Sequence, residues 1–195
     1  TTGGGGAAAV SKVADSKAQV WSTIPAGSSV SLDVDKATIA ITSVAVNNVQ
    51  SELKNVDLEV QALKSNPVSV TAAGKVNQYL RINKKNIKDG DAETIKIGFR
   101  VTKSWLTDNG MTSADIRLYR YKSSVWNKLI TRVTGTDSIY VNFEADAPGF
   151  SYFAVGSKSG GGDAFAIIDA IRGFYAGTSS LSAFEIIDMI RGFYG

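Results

Sequence analysis

Glu93–Thr102 reads ETIKIGFRVT. Ile95, Ile97, Phe99 and Val101 alternate with Thr94, Lys96, Gly98 and Arg100. That two-residue period belongs to a strand with one face in an apolar core and the other in water. A helix would need its apolar residues three and four apart, so this stretch assigns the surrounding chain to the β class.

Working outward, similar β-prone runs occur at Ser29–Val34, Thr38–Val46, Val56–Leu63, Gln78–Ile82, Ala114–Tyr121, Val125–Val133, Ile139–Phe143 and Phe150–Val155. Asp89-Gly90, Asn109-Gly110, Gly135 and Pro148-Gly149 punctuate them with residues that suit turns. About eight or nine short strands at this spacing predict an antiparallel β-sandwich-like domain. Only KSWLTDN at Lys103–Asn109 breaks the alternation, and it predicts a short connecting helix with a left-handed stop.

The flanks differ in composition. The opening TTGGGGAAAV predicts a Gly/Ala-rich tail or linker over residues 1–19, ahead of a sandwich over 20–157. SKSGGGD at Ser157–Asp163 predicts a hinge, which opens a third region over residues 158–195. There AFAIIDAIRGFY at Ala164–Tyr175 recurs as AFEIIDMIRGFY at Ala183–Tyr194, a period of 19 residues with ten of twelve positions identical.

Asp163 and Ser182 precede the two copies as N-caps, and Gly177 and Gly195 follow as stops. A two-helix hairpin is predicted. Each helix is apolar around most of its circumference, and helices this short are marginal without a partner surface. Their apolar faces have three destinations: each other, the flank of the β-domain, or another chain. Asp169 with Arg172 and Asp188 with Arg191 stand at i,i+3 spacing and predict surface ion pairs. The repeat resembles the paired helices of dockerin modules, but SKSGGG and AGTSSL before the two copies hold no calcium-ligand set.

Chemistry is scarce. The chain contains neither Cys nor His, which removes thiolate nucleophiles, disulfides, the usual zinc ligands and the commonest acid/base catalyst. Asp33 with Asp35, Asp89 with Asp91, and Asp137 fall in turn segments and are read as solvated carboxylates. Gly3–Gly6 and Gly160–Gly162 lack the Lys and Ser/Thr of a phosphate loop. The net charge is +3 with scattered basic residues, so no nucleic-acid partner is expected. The absence of an apolar run of about 18 residues predicts no direct membrane span. Trp21, Trp105 and Trp126 with Tyr119 and Tyr121 are read as core and edge packing, with a sugar-stacking platform as the alternative.

Leu118-Tyr119-Arg120-Tyr121, then Trp126 and Leu129, then Pro148-Gly149-Phe150-Ser151-Tyr152-Phe153-Ala154 form one ordered set of landmarks within Ala114–Gly156. With Ile39–Val46, GKVNQYLRI at Gly74–Ile82 and KSWL at Lys103–Leu106, they resemble the PGF-pre-PGF domain of archaeal cell-surface proteins over about Val20–Gly156. The resemblance implies an extracellular or cell-surface setting in an archaeon and a domain without assigned catalytic residues. In that family a sorting anchor usually follows the domain. Here the IIDxIRGFY pair follows, so attachment by protein contact would replace the anchor.

These readings converge on a non-catalytic, cofactor-free structural subunit of a filament, sheath or surface layer, whose partners are copies of itself. Its expected assembly residues are Ala7, Ala8, Val10 and Val13 in the tail. In the repeat they are Phe165, Ile168, Ile171, Phe174, Tyr175, Phe184, Ile187, Ile190, Phe193 and Tyr194. The alternative is a monomeric adhesion module at the C-terminus of a larger surface protein, binding other cell-surface proteins or glycans.

Overall fold

Ile95, Ile97, Phe99 and Val101 are all buried, as the alternation requires, and their strand lies at the centre of a sheet. The computed structural model describes residues 12–72, 74–158, 171–172, 174–175, 177 and 182–194. The described residues hold eleven strands: β1 (Val13–Ile24), β2 (Val30–Asp33), β3 (Ile41–Val49), β4 (Leu53–Leu63), β5 (Val76–Lys85), β6 (Ala92–Thr102), β7 (Ile116–Lys122), β8 (Val125–Lys128), β9 (Thr131–Thr136), β10 (Tyr140–Ala147) and β11 (Tyr152–Ser157). Helix α1 (Lys103–Asp108) links β6 to β7, and α2 (Ala183–Tyr194) lies near the C-terminus.

All pairings are antiparallel and form two sheets. Six strands run in the order β1-β4-β5-β11-β7-β8 and five in the order β2-β3-β6-β10-β9. One core cluster joins their inner faces, a β-sandwich-like arrangement. Val56, Leu58, Val60, Leu80 and Phe153 contribute from the first sheet, and Val44, Ile97, Phe99 and Phe143 from the second. Phe99 and Phe143 stack with ring centroids 5.1 Å apart. Burying a side chain of this size is worth roughly 1.5–3 kcal/mol, and this pair anchors the middle of the five-stranded sheet.

Two local features correct the sequence reading. The tail expected over residues 1–19 becomes strand at Val13, seven residues before the expected start of the sandwich. ADSKAQ has little β-propensity of its own, but β4 offers it a backbone ladder from Val13↔Leu63 to Ile24↔Leu53, with one register shift between Val13 and Asp15. Pairing partners override intrinsic preference in a strand. The single run expected over Val125–Val133 divides in two. Val125–Lys128 pairs with β7 in one sheet, and Thr131–Thr136 pairs with β10 in the other. Leu129 marks the crossing: its side chain is buried and its N–H donates to Leu118 O at 2.9 Å.

Helix α1 begins at the N-cap Thr102, whose hydroxyl accepts the Trp105 N–H at 3.2 Å. Its left-handed stop is Gly110, with φ 65°.

A buried ion pair ties strand β7 to two connections, β5–β6 and β10–β11. Arg120, which points inward from β7 and is 4 % exposed, donates to Asp89 Oδ2 at 2.8 Å and to Phe150 O at 3.1 Å. Asp89 also accepts from Lys84 Nζ and from the Phe150 N–H, the latter at 3.3 Å. Read from sequence as a solvated turn carboxylate, Asp89 is instead the counter-ion of the sandwich's buried arginine. Gly149 lies against this pair with φ 149°, and a Cβ there would overlap the Asp89 carboxylate. Pro148-Gly149-Phe150 therefore needs its glycine for both backbone and space.

Candidate functional site

Three surfaces could carry an interaction. The first belongs to the C-terminal repeat. Helix α2 opens with a capping box: Ser182 Oγ accepts the Glu185 N–H at 3.3 Å, and Glu185 Oε2 accepts the Ser182 N–H at 2.7 Å. Hydrogen bonds from the Ser182 backbone and then its hydroxyl hold the Glu185 carboxyl below its usual range. Ser182 is thus the cap that the sequence predicts. Arg191 reaches Asp188 at 3.3 Å, the expected exposed pair. In the first copy residues 171, 172, 174 and 175 are helical, and Gly177 follows with φ 67°.

Ile171, Phe174 and Tyr175 from the first copy meet Ala183, Ile186, Ile187 and Ile190 around an open apolar hollow of about 240 Å³. Ile186, which the sequence reading did not single out, is buried at its base. Phe174, Tyr175 and Ile187 remain 43 %, 85 % and 42 % exposed. The structure thus brings together five of the expected residues: Ile171, Phe174, Tyr175, Ile187 and Ile190. Phe184, Phe193 and Tyr194 fall within α2. Ala7, Ala8, Val10, Phe165 and Ile168 lie outside the described residues, as do Asp163, Asp169 and Gly195.

The second surface is the edge strand β1. Along its inner face Asp15 and Lys17 meet the connection between β2 and β3. Lys36 Nζ lies 2.6 Å from Asp15, Thr38 Oγ1 also donates to Asp15, and Lys17 lies 3.3 Å from Asp35. The bonds from Lys36 and then Thr38 hold the Asp15 carboxyl down at about 2. Charges on an edge strand discourage indiscriminate pairing with other chains. Val13 starts β1 and does not join the C-terminal hollow. It lines a separate groove of about 110 Å³ with residues that include Gln61, Arg81 and Tyr152.

That groove belongs to the third surface, the outer face of the six-stranded sheet. Residues opposite the core positions of β4, β5 and β11 point there: Glu59 and Gln61, Tyr79, Arg81 and Asn83, and Tyr152. Register aligns several in one row. Ser16 pairs with Gln61, Gln61 with Arg81, and Arg81 with Tyr152; one step past Phe153↔Arg120, Tyr121 pairs with Trp126. The Arg81 guanidinium lies 5.3 Å from the Tyr152 ring centroid. Trp126 lies 5.2 Å from Tyr121 and 5.8 Å from Tyr79, with tilted rings. Glu59 Oε2 accepts from Gln61 Nε2 at 2.8 Å and from Asn83 Nδ2 at 2.9 Å. Burial pushes the Glu59 carboxyl up, but these amide bonds outweigh it and hold the group below its usual range.

The aromatic residues of the sequence reading divide accordingly. Trp21 and Trp105 pack against the core, and Tyr119 is buried with its hydroxyl 3.0 Å from Ser157 O. Tyr121 and Trp126 remain on the outer face, joined by Tyr79 and Tyr152. Those last two were legible only as the off-core positions of β5 and β11; the approach of Tyr79 to Trp126 and the place of Tyr152 beside Arg81 depend on strand order.

No helix among the described residues is long and apolar enough to cross a membrane. Neither the models of known protein families nor the curated proteins include a match to this chain.

Proposed function

We propose that this chain is a non-catalytic structural subunit of an extracellular filament, sheath or surface layer, and that it assembles on copies of itself. In this reading residues 164–175 and 183–194 form a two-helix hairpin, and its apolar side docks on the next copy. The observation that carries it is the open hollow ringed by Ile171, Phe174, Tyr175, Ile187 and Ile190, whose aromatic rim stays in water in the isolated chain. Clustered apolar surface of this kind marks an interaction site, and short helices gain stability by covering it. The tail residues Ala7, Ala8 and Val10, next to Val13, would add a second contact. The archaeal cell-surface setting rests on the PGF-pre-PGF resemblance of about Val20–Gly156.

The test is electron imaging and light scattering of the full-length chain beside a version ending at Lys158. Polymers or defined oligomers in the first sample, reduced to monomers in the second, support the reading. Monodisperse monomers in both samples overturn it. They would favour a monomeric adhesion module of a larger surface protein, a reading supported by the polar-aromatic outer face of the six-stranded sheet.

A further inference from the structure

We propose that the outer face of the six-stranded sheet is a carbohydrate-binding surface for a neutral oligosaccharide. The inference does not use the C-terminal hollow, and of the expected tail residues only Val13 borders the site, at the Gln61 end of the groove.

The floor of the site is the cross-strand row Gln61, Arg81, Tyr152, Tyr121 and Trp126. Adjacent strands lie about 4.8 Å apart, so the three strand gaps from Arg81 to Trp126 span roughly 14 Å, long enough for a short oligosaccharide. One wall is the segment over residues 64–72, whose Ser65 and Pro67 border the groove beside Gln61, Arg81 and Tyr152. That wall is pinned. Asn66 Oδ1 accepts the Val68 N–H at 3.1 Å, Asn66 Nδ2 donates to Val70 O at 2.9 Å, and Trp126 Nε1 donates to the same carbonyl at 2.9 Å.

The chemistry of the row selects the ligand. Aromatic faces are electron-rich and attract the polarised C–H groups on the flat side of a pyranose ring. Side-chain amides both donate and accept, as sugar hydroxyls do. Here Glu59 holds the Gln61 and Asn83 amides in place beside the aromatic row. Pre-set polar groups of this sort gain affinity by reducing the ordering cost of binding. The Glu59 carboxylate offsets the charge of neighbouring Arg81, which disfavours a polyanion such as nucleic acid. A peptide in a groove needs apolar pockets or a free strand edge. This site is a mid-sheet face of mixed amides, charges and rings.

The full-length protein, isotopically labelled, is titrated with hexasaccharides of glucose, mannose, xylose and N-acetylglucosamine, and with an oligogalacturonate as the acidic comparison. Binding is read by amide chemical-shift mapping and tryptophan fluorescence. At least one neutral hexasaccharide is expected to bind saturably, with shifts concentrated at Gln61, Arg81, Tyr121, Trp126 and Tyr152. Trp126→Ala and Tyr152→Ala should each weaken that binding by about tenfold, as expected for one lost ring contact. Tyr152→Ala removes a surface ring and leaves the wall anchor at Trp126 intact, so it remains informative if Trp126→Ala destabilises the domain. Trp105→Phe, in α1, should leave binding unchanged. The proposal is overturned if no neutral hexasaccharide binds, if the shifts map elsewhere, or if only the oligogalacturonate binds.

Discussion

Replacing Asp89 by Ala leaves Arg120 without its counter-ion in the interior. The Arg120 side chain is 5 % exposed and that of Asp89 33 % exposed, so the pair is screened on one side only. Removing one partner of a buried ion pair typically costs about 3–5 kcal/mol, because the remaining charge stays desolvated. The low end, about 3 kcal/mol, applies here, since Phe150 O still accepts from Arg120 at 3.1 Å. For a chain of this size that loss corresponds to a fall in Tm of roughly 6–12 °C. Urea unfolding followed by tryptophan fluorescence measures it. The double variant Asp89→Ala/Arg120→Met replaces the pair with apolar bulk and should regain most of the loss, since buried ion pairs contribute little over a packed apolar substitute. A single variant within about 0.5 kcal/mol of the parent, the range of an ordinary surface substitution, would refute the reasoning. So would a double variant no more stable than Asp89→Ala.

Three further outcomes follow from the same structure. Gly149→Ala places a Cβ against the Asp89 carboxylate at φ 149°, and should lower stability by at least about 2 kcal/mol by thermal unfolding. In the Asp89→Ala background the steric part of that loss should shrink, which a double-mutant cycle detects. The Asp15 carboxyl is depressed from its ordinary 3.8 to about 2, so its contribution is complete above pH 3.8 and disappears as pH falls through about 2. An Asp15→Asn variant should show a flatter decline in stability across that acid window, read from Tm against pH. Ser182→Ala removes the hydroxyl half of the capping box at α2 and should cost that helix about 1 kcal/mol, seen as faster amide exchange in its first turn.

Much of the sandwich was legible from the period of two. Glu93–Thr102 occupies β6 almost residue for residue, and Val56–Leu63 forms most of β4. The alternation identifies which side chains face the core because a strand's two faces are set by local geometry alone. β1 was not legible, because ADSKAQ carries no apolar alternation and is recruited by the open edge of β4. The break at Leu129–Ile130 was equally hidden, since an uninterrupted β-prone run does not say which sheet each half will join.

The candidate surfaces divide in the same way. The duplicated AFxIIDxIRGFY unit announces apolar helices with a capped start, and the Ser182–Glu185 box is visible as Ser-x-x-Glu in the chain itself. The outer-face row was beyond reach, because Gln61, Arg81, Tyr152, Tyr121 and Trp126 come from five strands spread over 92 positions of the chain, from 61 to 152.

The sequence by itself determined the β class, the inward and outward faces of most strands, the repeat and its Ser182 cap, and the lack of Cys and His chemistry. These depend on neighbouring residues and on composition. Only the tertiary structure decided the order β1-β4-β5-β11-β7-β8, the burial of Arg120 against Asp89, and the alignment of aromatic and amide side chains across one sheet. Strand order and register are choices among non-local pairings, and their energies depend on which distant strands close the core together.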